Sequence, residues 1–181
     1  MNIRTNFLTL LCAGTLLAGP AQPAPTCTWG PVAFQTFAEG TFFHLAAPAT
    51  QAEAAKVSAA LTQRLILALA GAGIQTLGPI LIVQRGVTPD PTRPFEMELG
   101  VLVPGGTKAV GGARVRPLGA FPCATTVVTG ALAEAGRAFE TLFRTSMDKG
   151  RIPTGEIREM VLFWEGETSP NNMMLVQVGL Q

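Results

Sequence analysis

Two stretches of the chain place apolar residues three and four positions apart, the spacing that builds one dry face on a helix. In the first, about Gln51 to Ala70, the stripe is Val57, Leu61, Leu65 and Ala68/Leu69, with Glu53, Lys56 and Gln63 opposite. Thr50 and Glu53 have the T-x-x-E spacing of a capping box, and Gly71 and Gly73 supply a stop. In the second, about Ala131 to Lys149, the stripe is Leu132, Ala135, Phe139, Leu142, Phe143 and Ser146. Glu134, Arg137, Arg144 and Asp148 form its wet side, and Gly150 ends it.

The segments around the two helices match one another. Gly73–Gly78 leads from the first helix into the strand-like Ile80–Gln84, and Gly150–Gly155 repeats that G-x4-G spacing before Ile157–Trp164. Ahead of each helix lies an extended run of β-branched and aromatic residues broken by Gly or Pro, Phe34–Ala47 in one case and Val115–Val128 in the other. Phe95–Val103 and Met173–Leu180 close the two units. The pattern predicts a β-α-β-β unit used twice within one domain over 32–180: repeat 1 at 32–103, a Gly-rich linker at 104–112, repeat 2 at 113–180. Such a plan makes an α+β fold. Three strands from each half form an antiparallel sheet, both helices cover one face, and a ligand cleft lies between the pseudo-twofold halves.

Alternation along the strands assigns candidate residues to faces. On Ile157–Trp164, Glu159, Val161 and Phe163 share one face, while Arg158, Met160, Leu162 and Trp164 share the other. Glu96 and Glu98 alternate with Phe95, Met97, Leu99 and Val101. A carboxylate pair two residues apart suits acid–base work or a cation site, and equally the wet face of an amphipathic strand.

The first 21 residues read as an address. Arg4 is the single charge before Glu39, Phe7–Ala18 is an apolar run, and small residues and prolines follow it. A run of roughly twelve residues is too short to span a bilayer and has the layout of a secretory signal peptide, so no stable membrane insertion is expected. Cleavage is expected after Ala21, leaving residues 22–31 as an N-terminal extension and a protein in the periplasm or outside the cell. Removing this leader takes away one of thirteen bases and none of twelve acids, so the mature chain is balanced. A balanced chain has no basic field for nucleic acid, which is excluded as a partner. The leader also takes Cys12, leaving Cys27 and Cys123 as an even pair that an oxidising compartment could bridge or leave as two buried thiols. A single His and three Cys do not build a four-ligand zinc site. Neither a metal nor a cofactor is expected.

The second half reads as strand, V-x-G-x-x, helix, G-x4-G, R-E-x-x-L, strand. Its motifs are Val128-Thr129-Gly130-Ala131-Leu132 and Arg158-Glu159-Met160-Val161-Leu162, with Glu98-Leu99-Gly100-Val101 on an earlier strand. In this the chain resembles the GyrI-like small-molecule-binding family, whose fold is also the effector-binding domain of certain bacterial transcription activators. The resemblance covers roughly Val32 to Leu180. It implies that amphipathic or cationic compounds bind between the repeats, with a carboxylate at the place of Glu159 reaching into the cleft and Val161, Phe163 and Glu98 nearby. The competing placement pairs Glu159 with Arg116 or Arg158 on a wet face.

Some members of the family hydrolyse reactive small molecules with a Glu and an aromatic hydroxyl. This chain has no tyrosine; Val161 and Leu132 stand at the family's tyrosine positions, which favours binding over hydrolysis. Related activators carry a DNA-binding segment upstream, for which the mature chain is expected to have no room. The fold is also similar to that of SOUL-type haem binders, in which His44 would be the one axial candidate, against the reading of a packed strand histidine.

Overall fold

The computed structural model describes residues 27–88, 90–131, 135–166 and 168–181. The leader, its cleavage site and Leu132 and Glu134 of the second helix lie outside the described residues. The strands are β1 (Cys27–Trp29), β2 (Ala33–Phe37), β3 (Gly40–Ala49), β4 (Ile80–Arg85), β5 (Phe95–Val103), β6 (Arg114–Leu118), β7 (Phe121–Gly130), β8 (Pro153–Phe163) and β9 (Met173–Leu180). The helices are α1 (Ala54–Ala72) and α2 (Gly136–Asp148).

The helices form where the apolar stripes demand. Val57, Leu61, Leu65, Ala68 and Leu69 of α1 pack into one core cluster with Phe43, Leu45, Met97, Leu99 and Val101. Ala138, Leu142, Phe139 and Phe143 of α2 pack into a second with Ala124, Val128, Val176 and Val178. At the end of α1, Gly73 takes φ 61°, a left-handed turn a β-carbon would strain, and Ile74 N–H reaches back to the Leu69 carbonyl. The expected capping box is half made. Thr50 donates its backbone N–H and its hydroxyl to Glu53 Oε2, so the Thr hydroxyl is a donor and not the acceptor a helix N-terminus needs, and α1 starts at Ala54.

All strand pairs are antiparallel, in the order β1-β7-β9-β8-β4-β5-β3-β6, with β2 also on β7. The pseudo-twofold axis falls between β4 and β8: β4-β5-β3 on one side mirrors β8-β9-β7 on the other. The α+β architecture expected from the repeat is therefore present.

The number of strands per half differs from expectation. Each extended run splits at a two-residue bend, Ala38-Glu39 in the first and Gly119-Ala120 in the second, and the two pieces part company. β2 leaves its own half and pairs with β7; β6 leaves its own and pairs with β3. β1, from the expected extension, adds a further piece beside β7. The halves are thus stitched by exchanged strands.

Cys27 and Cys123 are not bridged to each other. Cys27 lies opposite Gly130, seven residues along β7 from Cys123. At ~3.4 Å per residue that is about 24 Å, far beyond the Cα separation of a disulfide. Cys123 is a buried thiol, and burial pushes its pKa up to about 11, with Arg158 offsetting part of that. So high a pKa keeps it protonated and inert as a nucleophile.

Candidate functional site

β4 and β8 run side by side at the middle of the sheet. α1 lies on β3 and β5, and α2 mainly on β7 and β9, so this central pair underlies the seam between the helices. On the helix side β4 presents Ile82 and Gln84, and β8 presents Ile157, Glu159 and Val161. Ile82 and Val161 join the α1 core and Ile157 the α2 core. Glu159 is opposite Ile82 on one neighbouring strand and Val176 on the other. The strand alternation inferred from sequence holds for Glu159 and Val161, which share this face.

Glu159 is a carboxylate set among aliphatic side chains. Gln84 Nε2 donates to its Oε1 at 2.9 Å, and among the described residues no cation approaches it. Burial drives its pKa up to about 7; the Gln84 hydrogen bond pulls the other way and is outweighed. The side chain keeps some solvent contact, so it is crowded by protein without being sealed. A group in this state is balanced between neutral acid and uncompensated anion near neutral pH, and an arriving cation would supply the missing counter-charge.

Four residues expected beside Glu159 are elsewhere. Phe163 does not line this wall. An extra residue on β8 between Val161 and Phe163 forms a bulge that sets Phe163 opposite Met173, reversing its side, and its ring is exposed. Glu98 is on the other face altogether. Its register partner on β4 is Val83, which is opposite Arg158, whereas Glu159 is opposite Ile82. Arg116 and Arg158 are on that far face too, so neither pairs with Glu159.

The helix-free face carries an ion network that sequence reading did not assemble. Glu98 accepts from Arg85 Nη1 at 2.9 Å and from Arg116 through Nε and Nη2, and meets His44 Nε2 at 3.3 Å. Burial alone would raise the Glu98 carboxyl, but the His44 and Arg116 bonds and the Arg85 and Arg116 charges hold it far below the usual carboxylate range. Glu156 bridges Arg85 Nε and Arg158 Nε at 2.9 and 2.7 Å. His44 is 2% exposed, stacks on Phe42 with ring centroids 5.0 Å apart, and directs Nδ1 toward the Phe42 carbonyl and Nε2 toward Glu98. Both ring nitrogens are engaged, so His44 offers no open axial position to a haem iron. Among the described residues no three His, Cys, Asp or Glu side chains gather as metal ligands. A clue to the network was present in the alternation of Glu96/Glu98, Arg114/Arg116 and Glu156/Arg158, but which strands adjoin depends on long-range register.

Beside this network lies a cavity of about 460 Å³, lined among others by Arg85, Arg116, Arg158, Leu118 and Phe121. It is on the opposite side of the sheet from Glu159.

A duplicated β-α-β-β sheet with two helices on one face and a carboxyl at the seam defines the class: this is the GyrI-like fold. Solved structures share it. The EcmrR C-terminal domain matches with a TM-score of 0.64 and 15% identity, covering 83% of this chain and 97% of that one. EcmrR in its DNA complex matches with a TM-score of 0.68 and 16% identity over 84% of this chain, which spans 57% of the EcmrR chain. SAV2435 bound to tetraphenylphosphonium matches with a TM-score of 0.57 and 14% identity, covering 84% of this chain and 94% of that one. No protein-family model and no curated protein matches the sequence.

Proposed function

We propose that this chain is an exported binding domain for small amphipathic cations, which it holds at the seam between α1 and α2 with Glu159 as counter-charge. The observation that carries the reading is a carboxyl with no cationic partner among the described residues, crowded by apolar side chains, with a pKa pushed to about 7. Aliphatic walls from Ile82, Val161 and Val176 suit the body of a lipophilic ligand, and the acid selects its charge. Tetraphenylphosphonium, the compound bound to SAV2435, has that chemistry and is the natural first probe. Export rests on the leader pattern of residues 1–21.

The test is a calorimetric titration with tetraphenylphosphonium. Binding to the wild type that falls at least about tenfold in Glu159→Gln supports the reading, since a lost charge-assisted contact is worth that much or more. Equal binding by both proteins removes Glu159 from the site.

A second reading has one observation in its favour. A carboxyl with a pKa of about 7 is also suited to general-base catalysis. Turnover of a reactive electrophile that Glu159→Gln abolishes would make the protein a hydrolase; Val161, in place of a polarising tyrosine, argues against it.

A further inference from the structure

We propose that the cavity on the helix-free face is a second, separate site that binds a small organic carboxylate, its head on the Nη end of Arg158 and its apolar body against Leu118 and Phe121. Arg158 is 6% exposed, yet it is one of the residues lining the cavity. Its Nε donates to Glu156 and its Cζ sits 3.6 Å from the Phe121 ring centroid, and the two contacts together hold the guanidinium in place. Phe121 is held in turn by Gly179, where a β-carbon would come within 2.8 Å of the ring. The Nη end makes no hydrogen bond among the described residues.

Charge counting points the same way. Arg85 and Arg116 share Glu98, while Arg85 and Arg158 share Glu156, so Arg158 has one carboxylate and shares it. Burial, and then the charges of Arg116 and Arg85, press the Arg158 pKa downward against the stabilising pull of Glu156. A guanidinium held by one shared carboxylate through Nε keeps its Nη fork for a further anion, and that planar fork fits a carboxylate. Inorganic phosphate would bring excess negative charge against Glu98 and Glu156 and leave the apolar walls bare. The volume, about 460 Å³, is that of a metabolite-sized pocket.

The experiment is titration calorimetry with sodium benzoate, and separately with inorganic phosphate, on the wild type, Arg158→Met, Gly119→Leu and Glu159→Gln. Gly119 lines the cavity, and an added β-carbon there meets nothing within 4 Å, so Gly119→Leu fills the space without straining the fold and serves if Arg158→Met does not fold. The proposal expects benzoate to bind wild type and Glu159→Gln alike, and at least about tenfold more weakly to the folded Arg158 and Gly119 variants. It is overturned by wild type that does not bind millimolar benzoate, by binding unaffected in the cavity variants, by binding lost in Glu159→Gln, or by phosphate binding more tightly than benzoate. Because Glu159→Gln is expected to keep this site, its failure and that of the cation site are read separately.

Discussion

Glu98 and Glu159 are both acids crowded by protein, and their surroundings push them in opposite directions. Glu98 is surrounded by donors and cations and stays ionised; Glu159 has one amide and a wall of aliphatic groups. For Glu159 the folded pKa is raised from 4.5 to about 7, so the folded state holds the proton more tightly than the unfolded chain. Stability from this group is therefore full below about pH 4.5 and is lost as pH rises through 7, by roughly 3 kcal/mol in all. Glu159→Gln should gain on the wild type by about 2–3 kcal/mol between about pH 5 and pH 8 in chemical denaturation. Glu98 has the reverse sign. Its pKa is depressed in the fold, so its contribution is present above about pH 4.5 and is lost as pH falls below that. Glu98→Gln should lower stability by about 2–3 kcal/mol at neutral pH, with the gap to wild type closing in acid. Strand alternation made it legible that Glu159 and Val161 share a face. It did not reveal that Glu98 is on the opposite one, because alternation fixes faces within a strand while register between strands decides which faces coincide.

At the scale of elements, the helices and most strand positions follow directly from periodicity: Phe95–Val103 and Met173–Leu180 are strands with the bounds expected. What periodicity could not supply was pairing. The exchange of β2 and β6 between halves is a matter of contacts distant in sequence, and no local residue signals it. The bulge that turns Phe163 outward was equally hidden, since no Gly or Pro interrupts Val161–Phe163. Gly100 is a position where an element depends on one residue. A β-carbon there would lie 2.2 Å from the Phe43 carbonyl oxygen, so β3 and β5 approach as they do because residue 100 has none. Gly100→Ala should separate the two strands and destabilise the fold by about 3 kcal/mol, measured by urea unfolding. The buried Cys123, on β7, should resist alkylation in the folded protein and react fully, without reductant, once the chain is unfolded.

On the scale of the whole molecule, the pseudo-twofold brings β4 and β8 to the centre, and these two strands serve both faces. Gln84 and Glu159 point to the helix side while Arg85 and Arg158 point to the other, so each site is built from neighbours in sequence on the same strand pair. The absence of tyrosine, legible at once in the composition, takes on meaning here: the acid at the seam has an amide partner and aliphatic neighbours in place of a phenol. The central claim is that this acid binds cations in its ionised form. The most direct test is the affinity for tetraphenylphosphonium measured across pH, wild type beside Glu159→Gln. With a free pKa of about 7, wild-type affinity should rise about tenfold from pH 6 to pH 8 and then level off, while the variant stays weak and flat. An affinity that is the same for both proteins and independent of pH over that range would contradict the account.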